Sequence, residues 1–164
     1  MKAAIRELDA AIPIRHERPG RRRRPGLWSY VMHGDAWTVL ATPVIYSTLV
    51  PFAVLDAWIS LYQAICFRLW GLRPVRRRDY FVIDRHTLGY LNAIERLNCL
   101  FCSYANGLIG YAREITARTE QYWCPIKHAR RVRHPHGRYA SFVPYGDAER
   151  YDRDLPALRR ALKR

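Results

Sequence analysis

The sequence predicts a mainly α-helical protein: a membrane-inserted helical segment, then an antiparallel helical hairpin, then a basic tail. Three observations carry that prediction. Residues 38–67 form an apolar run in which Asp56 is the sole formal charge. Downstream, Tyr90, Ile94, Leu97, Phe101, Tyr104 and Leu108 recur at the three- and four-residue steps of one helix face. Finally, Lys and Arg total 28 against 14 Asp and Glu, a formal charge of +14, which suits an anionic partner.

At 164 residues the chain has room for one small domain with appendages. Four parts are expected: a basic arm over 1–36, the membrane-inserted segment over 37–72, a helical Cys/His module over 79–134 and a basic tail over 135–164. In the arm, Pro19, Gly20, Pro25 and Gly26 bracket the arginines at 21–24, the pattern of a flexible charged segment. No aromatic residue alternates with those arginines to stack a base. That weighs against nucleic acid and leaves anionic lipid headgroups as the expected partner. No small-residue cleavage motif closes the apolar run, so it is expected to be retained.

Helical throughout, the apolar run would measure about 45 Å, against a hydrocarbon core of about 30 Å. Something must bend or leave the bilayer. In a single-span arrangement Trp37 and Trp58 mark two interfaces about 31 Å apart, with Asp56 at the far headgroups. In a re-entrant arrangement Pro51 breaks the run into two arms that dip in and return, and Trp37 and Trp70 share one face. Charge favours the re-entrant form. The arm is rich in Lys and Arg, and Arg68, Arg73, Arg76, Arg77 and Arg78 follow the run with no acid among them. Cations prefer the cytoplasmic side, and a single span leaves one cluster on the wrong face. Ser47, four residues before Pro51, is placed to help satisfy a freed backbone group. Asp56 at that depth is a candidate functional carboxylate, or an interfacial one that snorkels.

In the module, Asp84 is a short acceptor suited to an N-cap. Asn106-Gly107 is a pair suited to a C-cap. The expected hairpin therefore turns at Gly107, with a second helix over 108–123 carrying Leu108, Ala112, Ile115, Thr119 and Tyr122 on one stripe. Cys124-Pro125 ends that helix and offers an N-cap to a short basic one. The tail has turn residues at Pro144, Gly146 and Asp147 and a final basic helix.

Four cysteines are too few for a disulfide scaffold. Cys99 and Cys102 at C-x2-C, with Cys124 and His128 at C-x3-H, have the internal spacings of a tetrahedral zinc site. The hairpin opposes this set, because it leaves Cys124 about 18 Å below Cys102 along the axis, so the four ligands meet only if the second helix is much shorter or two chains share the metal. The same hairpin brings Asp84, His86, Cys124 and His128 together as a second possible metal set, for zinc or iron. Thiol redox chemistry at Cys99 and Cys102 is a further option, and small packing thiols the plainest one. Glu95 and Glu114 are conceivable acid/base groups. No nucleotide-binding loop, nucleophile elbow or zincin helix is present.

The expected function is a small membrane-anchored protein whose Cys/His module faces the cytoplasm and binds metal or performs thiol chemistry. The alternative is a non-catalytic membrane adaptor that docks a protein partner, a second copy or anionic lipid through its basic faces.

Overall fold

The computed structural model describes residues 36–163. The expected basic arm lies outside the described residues, save its last position. Among the described residues there are four α-helices: α1 over Ala36–Ser47, α2 over Leu49–Tyr62, α3 over Ala93–Trp123 and α4 over Ala148–Arg160. Single 3-10 turns at Arg77–Asp79, Arg85–Thr87 and Tyr139–Ser141 punctuate the connections. Among the described residues the only β pairing is two isolated bridges, Leu72 with Lys163 and Ile126 with Val143.

Helices α1 and α2 are two parts of one helical run, long and apolar enough over Val39–Phe67 to cross a membrane. The expected re-entrant turn at Pro51 is absent. Pro51 falls in the first turn of α2, where an amide hydrogen would lack an intrahelical acceptor in any case. The interruption is confined to Thr48, which keeps helical angles of φ −64 and ψ −15. Its N–H donates to the Ile45 carbonyl at 3.3 Å, and helical bonding resumes with Phe52 N–H to the Thr48 carbonyl at 3.1 Å. The hydroxyls of Ser47 and Thr48 donate to the carbonyls of Val44 and Ile45, so Ser47 serves the turn before Pro51.

The expected hairpin is also absent: α3 is one helix of 31 residues. Its true start is a capping box, with Asn92 Oδ1 accepting from Glu95 N–H at 2.9 Å and Glu95 Oε2 accepting from Asn92 N–H at 2.8 Å. Asp84 precedes a short 3-10 turn instead and makes no side-chain cap there. Asn106 and Gly107 do not stop the helix. Asn106 Nδ2 donates to the Cys102 carbonyl one turn back. Gly107 serves packing, since a Cβ there would lie 2.9 Å from the Tyr80 carbonyl oxygen and 3.2 Å from Phe81 Cα. The glycine admits a neighbouring backbone rather than a left-handed turn. The two expected stripes are thus one stripe, continuous through Leu108, Tyr111 and Ile115.

The core forms where α2, α3 and the C-terminus meet, around Ile59, Phe67, Leu72, Val75, Leu108, Tyr111, Ile115 and Leu162. At Gln63–Phe67 the run widens into a π turn. Such turns insert one extra residue and recur where a side chain has a specific role. Here Gln63 Oε1 accepts from Val75 N–H at 2.7 Å and Gln63 Nε2 donates to Tyr111 Oη at 2.8 Å. Residues 135–163 are not a free tail. Phe142, Val143 and Leu162 are buried, and Arg73 N–H donates to the Leu162 carbonyl at 3.0 Å. Asp147 caps α4 through Arg150 N–H, after a turn with Gly146 at φ 81.

Candidate membrane interface

Helix α2 lies beside α3, and the two run in the same direction. Tyr46 meets Asn98 and Phe101, Phe52 meets Phe101, Tyr104 Oη donates to Asp56 Oδ2 at 3.0 Å, and Tyr62 Oη lies 2.9 Å from Thr119 Oγ1. The connection 72–92 returns along α3 in the opposite sense. Arg118 Nη1 donates to the Arg73 carbonyl at 2.6 Å, Tyr80 and Phe81 cover Gly107, and Arg85 Nη2 donates to Ser103 Oγ at 3.0 Å.

This packing divides the apolar run into two faces. Phe52, Leu55, Asp56, Ile59, Tyr62, Gln63 and Phe67 turn toward the body. Val50, Val54, Trp58, Leu61, Ile65 and Leu69 form the outer face. Val54 is 63% exposed, Trp58 72%, and Leu61 and Ile65 51% each. In α1, Trp37, Leu40 and Val44 continue the exposure. Isolated exposed apolar residues are ordinary, whereas a contiguous patch of this length marks an interaction surface. A helix apolar on every side belongs in a protein core or in lipid, and half of this one is in neither. Trp70, expected at the interface, is half-buried, stacking on Tyr122 at 5.2 Å and meeting Trp123 edge-on at 5.5 Å.

Asp56 sits on the inner face in a two-pronged ion pair with Arg77, which donates Nη1 to Oδ1 and Nη2 to Oδ2. The Arg77 guanidinium also lies 4.0 Å over the Phe81 ring. The carboxylate is thus matched by a cation 21 residues away, a pairing without local sequence signal. A second network centres on Glu114, whose Oε1 accepts from Arg118 Nε at 2.8 Å and Arg138 Nη2 at 2.6 Å. Burial pushes the Glu114 carboxyl up, but the guanidiniums of Arg138 and Arg118 outweigh it and hold the group below the usual range. Glu95 is used in the capping box. Neither glutamate is arranged as an acid/base pair with the other. His136 Nε2 lies 2.9 Å from Glu120 Oε2, and its Nδ1 accepts from Arg138 N–H. That bond places the imidazole proton of the neutral ring on Nε2, facing Glu120.

Asp56, Glu95, Glu114 and Glu120 are thus engaged within the body, while several cations remain on its surface. Arg130, Arg131 and Arg133 are exposed, in a stretch that has no Asp or Glu between Glu120 and Asp147. Arg68, Arg73, Arg76 and Arg78 are exposed at the end of the apolar run.

Among the described residues, no three His, Cys, Asp or Glu side chains come together as a metal site. Cys99 and Cys102 lie on adjacent turns near the start of α3, half-buried and exposed respectively. Cys124 is exposed just past the end of the same helix, so Cys102 and Cys124 are separated by about 33 Å of helix rise. The single-chain Cys99, Cys102, Cys124 and His128 set does not assemble. Nor does the second set: Arg85 anchors His86 and Asp84 near Ser103, about 31 Å of helix rise from Cys124. Only the second set drew on the hairpin, and the straight helix carries the ligands of both sets apart. His128 is engaged with Tyr139, through its N–H to Tyr139 Oη at 2.7 Å and ring stacking at 6.0 Å.

No protein-family model matches this chain, and neither a curated protein nor a solved structure matches it. Its outer apolar face and its charge distribution are the features that bear on function.

Proposed function

We propose that the protein is a non-catalytic adaptor held on an anionic membrane by the outer face of its apolar run, with its body facing the cytoplasm. The observation that carries this reading is the two-sidedness of the run: one face packed on a folded body, the other apolar and open from Val50 to Leu69. Hydrocarbon is the environment that such a face favours. The exposed arginines at 130–133 and at 68–78 supply attraction to anionic headgroups. Bound this way, the body offers its remaining basic surface to a protein partner. Among the described residues no three of the ligands named for a zinc or iron centre come together, so that reading has no support here.

Flotation of the full chain with vesicles tests the proposal. The protein is expected to rise with both neutral and phosphatidylglycerol-containing vesicles, more completely with the latter. A folded chain that stays at the bottom of the gradient with both contradicts it.

A further inference from the structure

Resting on that reading, we infer that the apolar run lies in the plane of a single leaflet, outer face down, rather than crossing the bilayer. The return segment 72–92 is the reason. It is irregular in backbone and runs at the level of the apolar helix, with Arg77 bonded to Asp56 in the middle of the run and Arg85 bonded to Ser103, one residue before the Tyr104 that meets Asp56. Stand the run upright in a bilayer and this charged, non-helical segment enters the hydrocarbon beside it. Irregular backbone is tolerated there only when buried in protein or lining water. Here Arg76, Arg77, Arg78, Asp79, Asp84 and Arg85 are all exposed.

Laid flat, the same structure meets neither problem. At 100° per residue, Val54, Trp58 and Leu61 fall within roughly 40° of the direction opposite Asp56, and within and beyond the π turn Ile65 and Leu69 remain open at 51% and 76% exposure. One side of α2 therefore faces lipid while Asp56 and Tyr104 pack toward the body and the Arg77 guanidinium opens to water. Length ceases to matter, since a run of about 45 Å need not match a core of about 30 Å. Arg68, Arg73, Arg76 and Arg78 then lie together on one side of the membrane, in agreement with the preference of cations for one side. The occupant of the outer face is thus one leaflet of an anionic bilayer, with Arg68 at the rim reaching the headgroups.

The test is depth. Single substitutions Val50→Cys, Val54→Cys, Leu61→Cys and Ile65→Cys, in a chain whose native cysteines are serine, are labelled with an environment-sensitive fluorophore on phosphatidylcholine/phosphatidylglycerol vesicles. Lipids carrying quenchers at several depths report the position of each label. In-plane binding gives all four labels one shallow depth, about 5–10 Å below the headgroup boundary. A span gives depths that change steadily over about 22 Å from Val50 to Ile65. That graded result, with vesicle binding intact, overturns the in-plane inference and leaves the membrane reading standing. Labelled chains that are folded by far-UV circular dichroism yet bind no vesicle overturn both. In that event a wild-type dimer by sedimentation that becomes monomeric on Leu61→Asp identifies a second copy as the cover.

Discussion

Replacing Leu61 and Ile65 together with alanine removes two side chains of the exposed outer face while leaving the core alone. Each is half exposed in the folded chain, so lipid can remove from water only the open half of the side chain. Complete burial of such a side chain contributes about 1.5–3 kcal/mol. Half of that, less about 0.4 kcal/mol that the alanine methyl retains, leaves about 0.4–1.1 kcal/mol per site. The pair should weaken vesicle partitioning by about 0.8–2.2 kcal/mol, or about 4–40-fold. Titration of the chain with vesicles, followed by sedimentation, measures this directly. Stability should move little, because neither side chain reaches the core. Leu61→Asp with Ile65→Asp should abolish binding, since it adds charge to the same face. Vesicle affinity within twofold of wild type for the alanine pair, with the fold intact, would refute the assignment of this face to lipid.

Three further outcomes are expected. Gly107→Ala should lower the melting temperature despite alanine's better helix propensity, because the new Cβ meets backbone atoms of Tyr80 and Phe81 that cannot yield cheaply; Asn106→Ala, in an exposed helix interior, should be neutral or stabilising by about 0.5 kcal/mol. A hairpin turning at Gly107 predicts instead that Asn106→Ala costs stability. For Glu114, whose folded pKa lies below its unfolded one, the stability contribution is fully present above the ordinary carboxyl value of 4.5 and falls as pH drops from there through the folded value. Glu114→Gln should flatten that acid limb in a thermal melt series, and an unchanged acid limb contradicts the assignment. Arg77→Met alone should destabilise the protein more than Arg77→Met combined with Asp56→Asn, because the single change strands a partly buried carboxylate; additive losses in thermal melts would show that the pair is not coupled.

How far the sequence could be read depended on whether a signal was local. The apolar run is legible from composition, since about thirty positions with one carboxylate leave few alternatives. The stripe on α3 is legible too, but Asn106-Gly107 carries two meanings. A glycine that lets the chain turn and a glycine that lets another backbone approach look alike until Tyr80 and Phe81 are found against it. Unbroken phase from Tyr104 through Leu108 to Tyr111 was the available sign that the helix continues. The Asn92 and Glu95 capping box was equally readable three residues apart, whereas Asp84 competed for the same role without a partner. Pairings such as Asp56 with Arg77, Glu114 with Arg138 and Gln63 with Val75 join distant positions and leave no periodic trace. The Cys99 and Cys102 spacing misled for a related reason: ligand spacing is local, but a metal site needs Cys124 and His128 to return, and a straight helix carries them away.

The most direct test of the central claim is whether attachment survives the loss of electrostatics. The unmodified chain, bound to phosphatidylcholine/phosphatidylglycerol vesicles and then floated in about 1 M salt, experiences charge attraction over only about 3 Å. An apolar face buried in lipid keeps the protein with the vesicles under those conditions. Quantitative release into the soluble fraction at that salt concentration, with the protein still folded, would mean that arginines alone hold it there and that the outer face of the run does not enter the membrane.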